Sequence, residues 1–173
     1  MLATHLDAEK RYTMIRKSTL EVSQRKLSSR SEYASLKLKL IDIDALNMAK
    51  KWAKSSMRRV NWEWVEGYSV LKFRYPKRFE LAIWVGRELI SLTMGRPTYN
   101  GTALRLDFIE ASPEKPKGLK VVPAVLFVMI TYAEALGASQ IRVMNPINDA
   151  VKKYYESIGL VYVAEEDYLY LRL

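Results

Sequence analysis

The stretch from Asn148 to Leu160, NDAVKKYYESIGL, sets Tyr154 and Tyr155 side by side late in a short amphipathic segment. At about 100° per residue, a helix beginning at Asn148 gathers Ala150, Val151, Tyr154, Tyr155 and Ile158 into one apolar arc. Tyr155 falls at the edge of that arc, beside Lys152 and Glu156, and Tyr154 falls deeper within it. Periodicity alone reads both as core packing. A tyrosine at the rim of a buried stripe also roots its ring in the core while offering its hydroxyl to a cleft.

Two other groups of residues could carry chemistry. The run ALRLDFIEA has the alternation of a strand, with Leu104, Leu106, Phe108 and Glu110 on one side and Arg105, Asp107, Ile109 and Ala111 on the other. At most one of the carboxylates Asp107 and Glu110 therefore faces any given cleft. Each would serve equally well as a surface carboxylate or as an ion-pair partner of a nearby arginine. The loop SPEKPKGLK carries Lys115, Lys117 and Lys120 around Gly118, immediately before a long apolar run. Unpaired N–H groups at the start of a helix there, with the positive end of its dipole, attract phosphate, and the lysines add charge. A solvated lysine-rich turn is the competing reading.

Composition removes several chemistries. There is no cysteine, and His5 is the only histidine. This excludes a disulfide framework, thiolate metal ligation and a cysteine nucleophile, and argues against serine-histidine triads and histidine-rich metal sites. The content of 49% hydrophobic and 27% charged residues belongs to a globular chain rather than a disordered one, and 173 residues suit one domain with a sizeable core. No apolar run reaches membrane-spanning length, and residues 1–20 lack a signal-peptide pattern, so the expectation is a cytoplasmic protein with no membrane partner. The formal charge of +9 is concentrated at one end: residues 1–60 hold 14 Lys+Arg against 6 Asp+Glu, and residues 61–173 hold 14 against 13. Such an asymmetry marks either a surface for nucleic acid or another acidic partner, or a solubilising face.

The elements that must position these residues follow from periodicity. Residues 1–34 read as a basic N-terminal extension with a helical hint at Ile15, Leu20 and Val22. SLKLKLI is a strand with one wet face. Asp42 or Asp44 caps a helix turning Leu46, Ala49 and Ala53 inward and Lys50, Lys51 and Lys54 outward, ending near Ser55. The region from Met57 to Tyr75 is ambiguous, with Trp62 and Trp64 either buried or lining a cleft. FELAIWVGRELISLTM reads as two strands around a turn at Gly86, and ALRLDFIEA as a third. VVPAVLFVMITYAEALG reads as a buried helix, Pro123 being tolerated in its first turn and Gly137 suiting its C-terminal cap. SQIRVM is a strand, NDAVKKYYESIG a capped helix, and LVYVAEEDYLYLRL a hairpin turning at 165–167. The fold class is α+β with a mixed, mostly antiparallel sheet flanked by helices, because the buried helix must carry the chain between two parallel strands.

Over residues 35–173 the sequence resembles the GNAT superfamily of acyl-CoA-dependent N-acyltransferases. Asn148, Tyr155, Gly159 and Leu160 match that family's late signature in register, although Val151 stands where alanine is usual and Ala150 lies one place early. The family's pyrophosphate loop is degenerate here: KPKGLK has Lys115 at its first position and Gly118 at its fourth, but Lys120 at its sixth.

The resemblance implies acetyl-CoA as co-substrate, an amine as acceptor and direct attack of the amine on the thioester. It implies a cofactor-binding set of Ile109, Glu110, Ala111, Ser112, Lys115, Lys117, Gly118, Leu119, Lys120, Asn148 and Tyr155. The strand ending at Ile109 to Ala111 should part from the strand Ile141 to Met144 to admit pantetheine, with backbone N–H groups near Ile109 to Ser112 polarising the carbonyl. Tyr155 takes the position that protonates the departing thiolate. Glu110, slightly preferred over Asp107, is the implied base, because an amine is protonated at neutral pH and must lose a proton before attack.

Two other functions compete. An acyltransferase acting on a nucleic-acid-linked amine would hold phosphates with Lys50, Lys51, Lys54, Arg58 and Arg59. A non-catalytic nucleic-acid- or protein-binding module would retain the shell without affinity for acyl-CoA. A homodimer through the final hairpin is compatible with each.

Overall fold

The alternation of Leu36 and Leu38 with Lys37 and Lys39 makes β1 (Leu36–Lys39) an edge strand with a wet face. This computed structural model describes residues 4–173. In order, the elements are α1 (His5–Ser28), β1, α2 (Ile43–Trp52), α3 (Trp64–Arg74), β2 (Phe79–Val85), β3 (Glu88–Pro97), β4 (Ala103–Ala111), α4 (Val121–Ala135), β5 (Gln140–Met144), α5 (Asp149–Ser157), β6 (Val161–Val163) and β7 (Tyr168–Arg172). The seven strands form one sheet in the order β1-β2-β3-β4-β5-β7-β6. All pairings are antiparallel except β4 with β5, which α4 connects as a crossover. This is the expected α+β class.

Both faces of the sheet are covered. Phe79, Leu81 and Ile83 of β2 pack with α1, α4 and Tyr155 of α5 on one face, while Ala82 and Trp84 pack with α2 and α3 on the other. Because β2 is buried on both sides, its alternation separates two cores rather than core from solvent. α2 is capped by Asp42, whose side chain accepts from the Ala45 N–H at 2.8 Å. Trp52, not Ala53, completes its buried face. The ambiguous region resolves as a loop followed by α3. No helix among the described residues is long and apolar enough to cross a membrane.

The N-terminal region corrects an expectation. Residues 5–28, read as an extension outside the domain, form a helix of 24 residues that packs on α4 and β1, with Leu20 and Leu27 in the shared core. Its polar residues find partners far along the chain. Arg16 donates to the Pro76 carbonyl at 2.6 Å, and Glu9 accepts from Arg78 at 2.8 Å. Arg78 also pairs with the buried Glu80 at 2.8 Å. A low mean hydropathy disguised a core helix whose buried face is partly ionic.

β4 carries the second correction. Its register with β3 shifts by one residue: Gly95 pairs with Leu106 but Met94 pairs with Phe108, so Asp107 is an extra residue in a bulge. The bulge reverses the alternation after Leu106. Leu104 and Leu106 join the α4 core, whereas Phe108 packs against the α2–α3 core and Ile109 against the α4 core. Glu110, expected beside Leu104 and Leu106, instead reaches Trp64 of α3. Gly95 permits the close approach that the bulge needs, since a Cβ at this position would collide with the Arg105 carbonyl oxygen.

Candidate active site

β4 and β5 pair only from Ala103–Gln140 to Leu106–Val143, after which β4 runs on to Ala111 beside β3 alone. The sheet is therefore split between Asp107–Ala111 and the end of β5, as the resemblance implied. Ser112 N–H donates to the Ile90 carbonyl at 2.7 Å. In an antiparallel ladder every second residue faces the partner strand, so the backbone of Glu110 also faces β3, while the N–H groups of Ile109 and Ala111 face the split. Of the donors expected between Ile109 and Ser112, two are thus aimed at the opening and two are engaged in the sheet.

A cavity of about 1460 Å³ occupies the split and continues over the α2–α3 face of the sheet. Ile109, Glu110, Ala111, Ser112, Lys115, Lys117, Asn148 and Tyr155 all line it, whereas Gly118, Leu119 and Lys120 do not. Lys115 is turned back on its own loop, its ammonium donating to the Leu119 carbonyl at 2.9 Å. Gly118 adopts a φ of +82°, the left-handed conformation that lets the chain turn into α4. The N-cap of α4, Lys120, makes no side-chain capping bond, so the N–H groups of Val121 and Val122 lack the intrahelical partners that later residues have. An uncapped helix start flanked by Lys117 is suited to phosphate oxygens.

The tyrosine pair is placed the opposite way from the helical projection. Tyr155 is 2% exposed and joins the α4 core, whereas Tyr154 is 37% exposed. Ala150 is also exposed and Ile158 is 39% exposed, so the buried face of α5 is narrower than the apolar arc. Asn148 caps the helix, accepting from the Val151 N–H at 2.9 Å, and Gly159 closes it at a φ of +101°. These two residues of the late signature therefore set where α5 starts and stops, and so where Tyr155 points. Burial, with a smaller contribution from Tyr154, pushes the Tyr155 hydroxyl well above its ordinary value. It stays protonated at neutral pH, as a proton donor must.

The two carboxylates have different surroundings. Glu110 is 5% exposed and accepts from Arg58 Nε at 2.7 Å, Arg58 Nη2 at 3.0 Å and Trp64 Nε1 at 2.6 Å. Both its oxygens are engaged, which counts against it as a base although it lines the cavity. Arg58, expected among the cations available to nucleic-acid phosphates, is held by the same contact. Asp107 sits in the bulge at the cavity wall, bonded to Arg105 through Oδ1 at 2.5 Å and facing Arg96 through Oδ2 at 3.6 Å. Burial raises its carboxyl above the ordinary range, and Arg105 and Arg96 offset part of that rise. Two features of the site escaped the sequence reading. The signal for the bulge was Gly95, an isolated glycine within a strand, and no local signal tied Arg58 to Glu110, 52 residues away.

No protein-family model and no curated protein matches the sequence. Solved structures do match. Ard1 from Thermoplasma volcanium aligns at a TM-score of 0.62 with 12% identity, over 80% of this chain and 98% of that one. The spermidine/spermine N-acetyltransferase SpeG from Vibrio cholerae aligns at 0.57 with 14% identity, over 82% and 95%. The ribosomal-protein-S18-alanine N-acetyltransferase from Escherichia coli aligns at 0.58 with 12% identity, over 79% and 93%. These likenesses show the fold, and this chain has the fold of the GNAT acetyltransferases.

Proposed function

We propose that the protein is an acetyl-CoA-dependent N-acetyltransferase in which Tyr155 is the general acid and Asp107 the base. The observation that carries this reading is the split between β4 and β5, with Tyr155 buried at one wall and the Ile109 and Ala111 N–H groups at the other. The residues present fit the co-substrate: an apolar cleft with unpaired backbone donors suits pantetheine, and the uncapped start of α4 beside Lys117 suits pyrophosphate. Bound acetyl-CoA would supply the acetyl thioester, whose C–S bond is exchanged for the C–N bond of the product.

The chain's own groups complete the proton balance. Asp107, directly or through a water, takes the proton that the acceptor ammonium must lose. The Ile109 and Ala111 N–H groups act as fixed donors to the carbonyl oxygen as negative charge develops on it. Tyr155 gives its proton to the leaving sulfur, and the second proton that the nitrogen sheds as the amide forms restores the Tyr155 hydroxyl through solvent. Glu110 is better suited to fixing the position of β4 against α3 than to moving a proton. That structural neighbours are named for protein and polyamine substrates supports an amine acceptor in general.

The test is a thermal-unfolding scan with and without acetyl-CoA, followed by thiol release in the presence of amines. At a hundred times its dissociation constant a ligand stabilises the native state by about 2.7 kcal/mol. Absence of any stabilisation at millimolar acetyl-CoA would overturn the reading.

A further inference from the structure

Resting on that reading, we infer that the acceptor is a small amine carrying its own carboxylate or phosphate, held by an arginine cluster that faces the cavity at the bulge of β4. The cluster is distinct from the phosphate end of the cleft. Arg105 lies six residues before Ala111 on β4, about 20 Å from the start of the α4 loop at ~3.3 Å per residue. Arg96 is its direct cross-strand partner on β3.

Two guanidiniums directly opposite on adjacent strands repel one another. The chain supplies one anion to them, Asp107. Arg74, at the end of α3, and Arg59, in the loop before it, line the same cavity, and among the described residues neither has a carboxylate partner. Four arginines thus face a single carboxylate at this end, since Glu110 is already neutralised by Arg58. Arg96 is held in place from below: its guanidinium lies 4.6 Å from the centroid of the Tyr75 ring. A stacked arginine keeps its donors directed outward in a plane, the arrangement that binds carboxylate or phosphate through paired hydrogen bonds.

The placement divides the labour of recognition. Asp107, whose Oδ1 is held by Arg105 but whose Oδ2 faces Arg96 at 3.6 Å and accepts no hydrogen bond among the described residues, offers an oxygen to an ammonium group, and the arginines around it offer donors for an oxyanion on the same molecule. A polyamine, positive along its length, would meet repulsion from four guanidiniums. A neutral amine would leave them without a partner.

The experiment compares O-phosphoethanolamine and L-glutamate with ethanolamine and spermidine, following thiol release from acetyl-CoA with the wild-type chain and with Arg74→Gln and Arg96→Gln. One of the two anionic amines is expected to exceed both others in kcat/KM by about tenfold or more, the size of a lost charged hydrogen bond. Which of the two it is tells carboxylate from phosphate. Each arginine substitution should lower that value about tenfold, mainly through KM for the amine, and leave the acetyl-CoA-induced thermal shift in place. Equal or faster turnover of spermidine or ethanolamine, or no loss in either variant, would overturn the inference while leaving the transferase intact. Calorimetric titration of the same amines separates the other case. Binding of an anionic amine that weakens with salt and is lost in Arg96→Gln, without any acetyl-CoA binding, would uphold the anion site and reject the transferase. Failure of both anionic amines to bind and to turn over would reject the site.

Discussion

Arg58 and Glu110 form a two-point ion pair across 52 residues, with Nε 2.7 Å from Oε1 and Nη2 3.0 Å from Oε2, and Trp64 closes the second oxygen. The pair joins the loop before α3 to the free-running end of β4. It therefore holds the two walls of the cavity together at the point where β5 has left the sheet.

Removing one partner strands the other in a buried setting, their side chains being 10% and 3% exposed. Arg58→Ala and Glu110→Ala are each expected to destabilise the protein by about 3–5 kcal/mol. Urea denaturation measures this. If Glu110→Ala left stability intact and abolished only turnover, Glu110 would return as the base.

Gly95 admits the Arg105 carbonyl where a Cβ would stand. Gly95→Ala should cost about 1–3 kcal/mol through forced backbone movement, and it should also disturb Asp107, which the bulge presents. A lowered Tm together with reduced turnover is the expected result. A variant with unchanged Tm would show that the bulge does not depend on the glycine.

Tyr155→Phe removes the proposed proton donor while keeping the buried ring. Turnover should fall by about 10²–10⁴-fold, with the acetyl-CoA-induced shift in Tm preserved. Loss of the shift would instead make Tyr155 a binding residue.

As the proposed base, Asp107 must be ionised to accept a proton, and burial lifts its carboxyl above the ordinary value near 3.8. The acid limb of the kcat/KM profile should accordingly lie above the usual carboxylate range, with activity falling as pH drops through it. Asp107→Asn should remove that limb along with about 10²–10⁴-fold of the rate. An unmoved limb would assign the base elsewhere.

Glu9 supplies a stability test independent of catalysis. Burial raises its carboxyl, but Arg78 and Arg16 outweigh this and hold it at about 2, against an ordinary value of 4.5. A depressed carboxylate contributes stability that is present above the unfolded value and is lost as pH falls from about 4.5 toward 2. Glu9→Gln should flatten the stability curve in that window, and an identical acid transition in the variant would count against the network.

The sequence by itself determined the order and type of nearly every element from β1 onward, because each has an apolar period matched to its geometry and its own local caps, such as Asp42, Asn148 and Gly159. It also determined the split beside Ile109 to Ala111 as an expectation, since Asn148, Tyr155, Gly159 and Leu160 carry enough pattern to suggest the fold. The tertiary structure alone decided the rest. α1 belongs to the core because its Glu9 and Arg16 are satisfied by Arg78 and by the Pro76 carbonyl, partners no local pattern announces. Tyr155 is inside and Tyr154 outside because α5 docks by a narrower face than its apolar arc. Glu110 is paired with Arg58 and Trp64, and Asp107 stands at the cavity wall with Arg105 and Arg96, because a one-residue bulge, permitted by Gly95 on the neighbouring strand, turns the end of β4 over. Periodicity follows from the geometry of one chain segment, whereas register, docking angle and charge pairing arise only when two distant segments meet.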